Sequence, residues 1–201
     1  MITRSKTLED KGQKGFSLPE MLVVLLVISI MVVLALPQLN ASRRLFRFSG
    51  MQRQVGSSLN EARQEAMSQR VPITFRYDNV NKKIIIFGGS FGAFADSKNK
   101  ITEMFGSGLD AADIIYGRPS GAPNSALTDT CNLTAPLGGM VDITFQSDGS
   151  VIDSSNNPVN NALFFYNNKY PQDAAFATSI LGAGGRVKTW RYSKAIKTYV
   201  E

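Results

Sequence analysis

A continuous apolar run near the N-terminus constrains this chain more than any other feature. The run extends from Phe16 to Leu36, and Glu20 is its only ionisable side chain. As an α-helix these 21 residues would be roughly 31 Å long, which is enough to cross the hydrocarbon core of a bilayer. We therefore predict a transmembrane helix over residues 16–37.

The run differs from a secretory signal peptide in length and in its flanks. A signal peptide has a shorter apolar region followed by a small-residue cleavage site, whereas this run ends in Leu36-Pro37-Gln38. We therefore expect the helix to be retained as an anchor. Basic residues do not orient it, because four stand before the run and four follow it closely: Arg4, Lys6, Lys11 and Lys14 before, and Arg43, Arg44, Arg47 and Arg53 after.

Glu20 has two interpretations on the residues alone. A carboxylate within an apolar membrane segment costs about 3 kcal/mol on insertion scales unless it is paired, protonated or near the interface. One interpretation is a functional residue with a partner in the membrane layer. The other is a solvated carboxylate at the level of the lipid headgroups, close to the helix end.

The residues around the start of the run carry a family resemblance. The segment Lys14-Gly15-Phe16-Ser17-Leu18-Pro19-Glu20, followed by the apolar run, resembles the type III leader of type IV pilins and type II secretion pseudopilins. The resemblance implies that a prepilin peptidase cuts between Gly15 and Phe16 on the cytoplasmic side. Residues 1–15 would then be a leader peptide, and Phe16 would become the N-methylated first residue of the mature chain.

The same resemblance implies a partner for Glu20. In that family the fifth mature residue is a glutamate thought to pair with the terminal amine of a neighbouring subunit. The cut would create a cation at Phe16 in the same apolar layer, and two compensating charges inside a filament cost less than either charge alone. Glu20 would then be a filament assembly residue.

The pattern stays helical beyond the apolar run. Pro37 is the twenty-second residue counted from Phe16, and an internal proline removes one helical hydrogen bond, so we predict a kink rather than a helix end there. Residues 38–70 are predicted to form an amphipathic stalk helix that ends before Val71-Pro72. Its apolar positions recur at helical spacing: Leu45, Phe48, Val55, Leu59, Ala62 and Ala66.

The remainder of the chain changes to the two-residue period of strands. Residues 71–201 are predicted to form a β-rich head, giving an α+β, pilin-like plan in which an antiparallel sheet packs on the C-terminal half of the helix. The region between Phe87 and Pro136 is predicted to be mostly loops around one or two strands. The predicted strands are Pro72–Tyr77, Lys82–Phe87, Asp113–Tyr116, Val141–Gln146, Ala162–Tyr166, Phe176–Leu181 and Arg186–Tyr192.

Two later segments resemble the GspH/FimT type of minor pilin and pseudopilin, namely the stretch from Leu59 to Ala66 and the ending from Gly185 to Tyr192. The resemblance implies a minor subunit that primes or caps a type IV pilus, or alternatively the GspH-type pseudopilin of a type II secretion system. Its partners would be prepilin peptidase, other pilins or pseudopilins, and inner-membrane lipid. The expected location is a single-pass inner-membrane protein with a periplasmic head, and later the filament.

The excess positive charge of the head lies in its C-terminal segment. Residues 185–201 hold five basic side chains against Glu201, and the resemblance implies a further alternative, a minor pilin that binds DNA during DNA uptake. Basic side chains would contact phosphates and aromatic ones would stack on bases. A solvated edge strand explains the same charges, and we favour it. The candidate residues are Arg186, Lys188, Trp190, Arg191, Tyr192, Lys194 and Lys197.

Composition argues against catalysis. The chain has no histidine, which removes the usual imidazole base and histidine-based metal sites, and Cys131 is a lone cysteine without a disulfide partner. We read Asp142, Asp148 and Asp153 as turn and strand-edge residues rather than catalytic acids. The sequence therefore predicts a non-enzymatic protein without cofactor or metal.

Overall fold

The computed structural model describes residues 16–89, 100–103, 110–123, 127–153 and 155–201. The leader predicted over residues 1–15, with Gly15 at the expected cut, lies outside the described residues. Within them, one long helix is followed by strands that pair almost entirely antiparallel, which confirms the predicted α+β class. The chain divides after Ser42 into two compact units.

Helix α1 spans Leu18–Gln69. Side chains from Phe16 to Leu36 are exposed on every side of the helix, and a helix that is apolar all round belongs in a membrane or a large core. The helix ends close to where it was predicted to end, because Pro72 pushes the residue before it out of the helical region. Arg70 takes a left-handed backbone with φ of 56°, the conformation that commonly closes a helix.

The strands of the described residues form two sheets rather than the single sheet that was predicted. The strands are β1 (Ile73–Asp78), β2 (Lys83–Gly88), β3 (Lys100–Glu103), β4 (Ile114–Tyr116), β5 (Asn132–Leu133), β6 (Met140–Phe145), β7 (Val151–Ile152), β8 (Asn161–Asn167), β9 (Ala175–Ile180), β10 (Val187–Ser193) and β11 (Thr198–Val200). Sheet A has the order β3-β2-β1-β6-β7, and sheet B has the order β11-β10-β9-β8-β4, with β5 pairing in parallel with β8.

All seven predicted strands are present, each within one residue of the predicted bounds. Turn residues fixed these limits. Asp78, for example, accepts hydrogen bonds from the backbone N–H groups of Val80 and Asn81 at 2.8 and 2.9 Å, closing the turn between β1 and β2. Four strands were missed, namely β3, β5, β7 and β11, all of them four residues or shorter.

The C-terminal part of α1 is built into the head unit. Its apolar stripe is fully buried and packs against the inner faces of both sheets, so the amphipathic pattern is confirmed at every position except Leu45, which is 36% exposed. The buried apolar side chains on the helix are those of Phe48, Met51, Val55, Leu59, Ala62 and Ala66. Facing them are Phe75 and Phe145 of sheet A, and Phe165 and Phe176 of sheet B.

The other face of sheet B carries a second, smaller core. Phe164, Trp190 and Tyr199 pack there with Leu127 and Cys131 of the loop that precedes β5. Phe164 and Tyr199 meet edge to face with ring centroids 5.1 Å apart. Sheet B is therefore covered on both faces, by α1 on one side and by this loop on the other.

Candidate functional site

The first turn of α1 holds the residues that the sequence assigned to assembly. Glu20 lies in that turn with its side chain exposed, and Phe16, just before the helix, is 74% exposed. The helix begins with a hydrogen bond from the Met21 N–H to the Ser17 carbonyl oxygen at 3.1 Å. A carboxylate in the first turn is favoured by the helix dipole, so Glu20 both supports the helix start and faces outward.

The helical segment that follows is long and apolar enough to cross a membrane. Leu18–Leu36 has a mean hydropathy of 2.7, and none of it is buried within the protein. A soluble core helix of this composition would be covered, because burying each large apolar side chain stabilises by about 2 kcal/mol. Among the described residues, this helix alone is long and apolar enough to cross a membrane.

Residues 10–36 match the prokaryotic N-terminal methylation motif. The match covers the candidate cut and the whole apolar run, with Glu20 inside it. The chain therefore has the N-terminal segment of a type IV pilin-like protein.

Two solved structures resemble this pilin-like chain. Both are crystal structures of the type IV minor pilin FimU of Pseudomonas aeruginosa strain PAO1. The form in space group P21 is 18% identical, with a TM-score of 0.46, over 75% of this chain and 90% of that one. The form in space group P65 is 16% identical, with a TM-score of 0.44, over 70% of this chain and 90% of that one. No curated protein matches the pilin-like chain.

Pro37 lies inside α1 of the pilin-like chain, which continues on both sides of it. The kink at Pro37 stays a prediction, as do the cut after Gly15, the methylation of Phe16 and the assembly role of Glu20.

Strand β10 holds the two aromatic residues of the DNA-binding prediction, and their side chains are buried. Trp190 and Tyr192 are only 5% and 6% exposed, because both point into the second core. The Trp190 Nε1–H donates to the Ser179 hydroxyl oxygen at 2.8 Å. These two rings therefore offer no open face on which a base could stack, which corrects that part of the prediction.

The basic residues of the same segment remain near the surface. Arg186, Arg191 and Lys197 are exposed. Lys188 instead reaches Glu201 at 2.7 Å and lies 5.3 Å from the centre of the Trp190 ring. DNA binding through this segment stays a prediction that rests on charge alone.

The Cys131 thiol is buried beside polar groups of β9 and of the loop before β5. The thiol points at the Ile180 carbonyl oxygen at 3.6 Å, and the neighbouring Asp129 accepts the hydroxyl hydrogen of Ser179. Burial, with a smaller contribution from the Asp129 carboxylate, raises the pKa of the Cys131 thiol to about 12. The thiol is therefore protonated at neutral pH and is a poor nucleophile.

The three aspartates considered for catalysis have structural partners. Asp148 accepts hydrogen bonds from the Ser150 hydroxyl and N–H at 2.7 and 2.9 Å, which lower its pKa. Asp153 accepts from the N–H groups of Ser155 and Asn157 at 2.8 and 2.9 Å. Both contacts agree with the turn interpretation.

Asp142 belongs to an ion pair across sheet A. It lies directly opposite Arg76 in the register of β6 and β1, and the guanidinium holds it with two hydrogen bonds, from Nε at 2.7 Å and from Nη2 at 2.6 Å. The hydrogen bonds to Asp142 raise the pKa of Arg76 above its usual value.

No pattern in the sequence indicates the groove that lies on this face of sheet A. The groove has a volume of about 520 Å³, and its lining includes the Arg76–Asp142 pair and the side chains of Leu137, Met140, Ile152 and Val159. Arg76 lies more than sixty residues before the others, and the pairing of β1 with β6 and of β6 with β7 brings them together. Among the described residues, no cluster of carboxylates or cysteine suits a metal ion.

Proposed function

We propose that the chain is a minor pilin-like subunit that a prepilin peptidase cuts between Gly15 and Phe16 and that co-assembles into a type IV pilus, where it primes or caps the filament. The observation that carries the proposal is the N-terminal methylation motif over residues 10–36, continuous with an apolar helix that the protein itself leaves uncovered. A helix of this kind is stable either in lipid or among the helices of other subunits.

Glu20 supplies the electrostatic part of the proposal. The cut leaves a positively charged amine at Phe16, four residues before an exposed carboxylate in the first turn of α1. In the apolar interior of a filament, neither charge is stable alone, so the amine of one subunit and Glu20 of its neighbour would pair. The pair sets the axial register between adjacent helices.

The same motif and helix suit the GspH-type pseudopilin of a type II secretion system. We favour the pilus because the Gly185–Tyr192 ending resembles minor pilins more closely. The two alternatives differ in cellular effect: loss of a pilus subunit reduces surface pili, whereas loss of the pseudopilin retains secreted proteins in the periplasm.

Replacement of Glu20 by glutamine tests the assembly role. Glutamine keeps the size and polarity of the side chain but removes the charge, so the Phe16 amine of the neighbour would be left unpaired in an apolar layer, at about 3 kcal/mol or more. We expect Glu20→Gln to be cut and to stay in the membrane, while its amount in sheared surface filaments falls more than roughly tenfold.

Ser29→Ala is the matched control within the same membrane segment. The Ser29 hydroxyl donates to the Leu25 carbonyl oxygen at 2.7 Å within α1, so its loss leaves no charge unpaired. Immunoblots of the filament and membrane fractions measure both variants. If Glu20→Gln enters filaments as well as Ser29→Ala does, the pairing role is wrong.

A further inference from the structure

The groove on sheet A has a rigid apolar lip. Leu137 is 88% exposed, and Met140 is 38% exposed. A two-residue turn, Gly138-Gly139, joins them, with positive φ of 59° and 81° at its two glycines, and Leu137 and Met140 exchange backbone hydrogen bonds of 2.8 and 3.0 Å. An exposed leucine held in this way, beside other apolar side chains, is typical of a binding surface.

The groove also has a net negative charge. Arg76 and Asp142 compensate each other through their bidentate pair. Asp153 adds a second carboxylate to the lining, and its hydrogen bonds come from uncharged backbone N–H groups. An apolar groove with one excess carboxylate suits an apolar side chain that has a cation next to it.

The turn between β10 and β11 carries side chains of that kind. Ser193 pairs with Thr198, so residues 194–197 form a four-residue loop, which we call the hairpin tip. Ile196 is 61% exposed in it. Lys197 directly follows that isoleucine, and its left-handed backbone, with φ of 50°, closes the loop. Lys194, two residues before the isoleucine, pairs with Asp173 at 3.3 Å.

The groove and the hairpin tip cannot meet within one molecule. Thr134, which follows β5, and Asn161 of β8 line the groove, whereas β11 is the opposite edge of sheet B. Four strand spacings separate β5 from β11, about 19 Å in a sheet. Any contact between the two surfaces is therefore a contact between two molecules.

We propose that the hairpin tip of one copy docks into the sheet A groove of a second copy, with Ile196 against the apolar lining and Lys197 beside Asp153. The charges are complementary, because the groove is acidic and residues 185–201 carry five basic side chains against Glu201. The two surfaces differ, so the contact between the two copies is heterologous. The proposal concerns the heads and does not depend on the cut at Gly15.

Site-directed cross-linking in native membranes tests the contact with the full-length chain. Two differently tagged copies are expressed together, one with Ile196→Cys and the other with Leu137→Cys, and are treated with a short bis-maleimide. Cys131 is buried, so its background reaction is low. We expect a dimer carrying both tags, because docking holds the two thiols at high effective concentration.

The matched control pairs Ile196→Cys with Ile101→Cys. Ile101 is 56% exposed and lies on β3, at the opposite edge of sheet A from β7. The dimer yield of the Leu137→Cys pair should exceed that of this control at least about tenfold. Equal yields, or no dimer in either pair, would overturn the proposal, and so would cross-linking of Leu137→Cys to a different protein in place of the second copy.

A charge variant separates docking from random collision. Asp153→Asn in the Leu137→Cys copy keeps a side-chain oxygen for the turn but removes the charge, and should lower the dimer yield roughly three- to fivefold, as expected for one exposed ion pair. Asp148→Asn removes the same charge from another turn outside the groove lining and should leave the yield unchanged. If the two asparagine variants cross-link alike, the pairing of Lys197 with Asp153 is wrong. The proposal that the hairpin tip of a second copy occupies the groove is then wrong as well.

Discussion

Several buried residues of the head have an ionisable group that the fold holds neutral. The Tyr77 ring packs edge to face on Phe165 with centroids 5.0 Å apart, and the Tyr116 hydroxyl donates to the Thr134 carbonyl oxygen at 2.6 Å. Burial raises the pKa of Tyr77, Tyr116 and Tyr199, and it raises that of Cys131 to about 12. Each group therefore opposes ionisation in the folded head.

These groups make head stability depend on alkaline pH. In the unfolded chain, cysteine and tyrosine ionise at about pH 8.5 and 10. Because the folded pKa values are higher, the stability that these groups contribute is full below the unfolded values and is lost as pH rises towards the folded ones. We expect the free energy of unfolding of the head, residues 43–201, to fall steadily above about pH 8.5.

Urea unfolding followed at pH 7 to pH 10.5, with tyrosinate absorbance recorded alongside, measures this fall. Tyr77, Tyr116 and Tyr199 should ionise only as the head unfolds. Tyrosinate absorbance from these three residues in a folded head, with an unchanged urea midpoint, would contradict the account.

At the residue scale, the assembly role of Glu20 stays a prediction, and the sequence did not predict the orientation of the C-terminal aromatics. Alternation along β10 places Trp190 and Tyr192 on one face and Val187 and Thr189 on the other. Both faces are covered, one by α1 and the other by the loop before β5. A sequence alone does not show that a loop will cover the second face, so the rings were assigned to solvent.

At the scale of elements, the strands with clear turn residues at their ends were predicted well and the short edge strands were not. β7 and β5 have two residues each and no alternating pattern of their own, and they form because a longer neighbour offers unpaired backbone groups. The division into two sheets depends on pairing between distant strands. For example, β1 pairs with β6 across more than sixty intervening residues, which local patterns do not reveal.

Arg63 of α1 connects the elements of the head through two loops. Its Nη2 donates to the Gly184 carbonyl oxygen at 3.0 Å, and its Nε donates to that of Gly149 at 3.4 Å. Gly149 lies in the turn between β6 and β7, and Gly184 lies in the turn between β9 and β10. Gly185, next to it, packs directly on the Gly149 backbone.

Alanine at Gly185 should therefore destabilise the head strongly. Its φ is +57°, and an added Cβ would lie 1.7 Å from the Gly149 carbonyl oxygen, so the β6–β7 turn and the β9–β10 turn would have to separate. We expect a loss of about 3 kcal/mol or more in the free energy of unfolding of residues 43–201, measured by urea denaturation.

Gly184→Ala is the control for this turn, since nothing lies within 4 Å of its added Cβ. It should change the free energy of unfolding by less than about 0.5 kcal/mol. Similar losses for the two alanine variants would show that the close approach at Gly185 is not what the turn requires.

At the scale of the whole molecule, the chain combines a unit whose apolar side chains are uncovered with a unit that buries its own core. The span Leu18–Leu36 has no cover of its own, while residues 43–201 enclose their own core between α1 and two sheets. The domain bounds drawn from the sequence stay predictions: 16–37 for the membrane segment, 38–70 for the stalk and 71–201 for the head. The sequence did not predict the groove, whose lining comes from β1, β6, β7 and the segments beside β5 and β8.

The measurement that tests the central proposal most directly is the intact mass and N-terminal sequence of the protein from native membranes, with and without prepilin peptidase. The account predicts a mature chain that starts at Phe16 and carries one added methyl group when the peptidase is present, and a chain that keeps Gly15 when it is absent. A chain that keeps Gly15 in both strains, or one cut after Leu36, would contradict the account. The assembly role of Glu20 would then be lost with it.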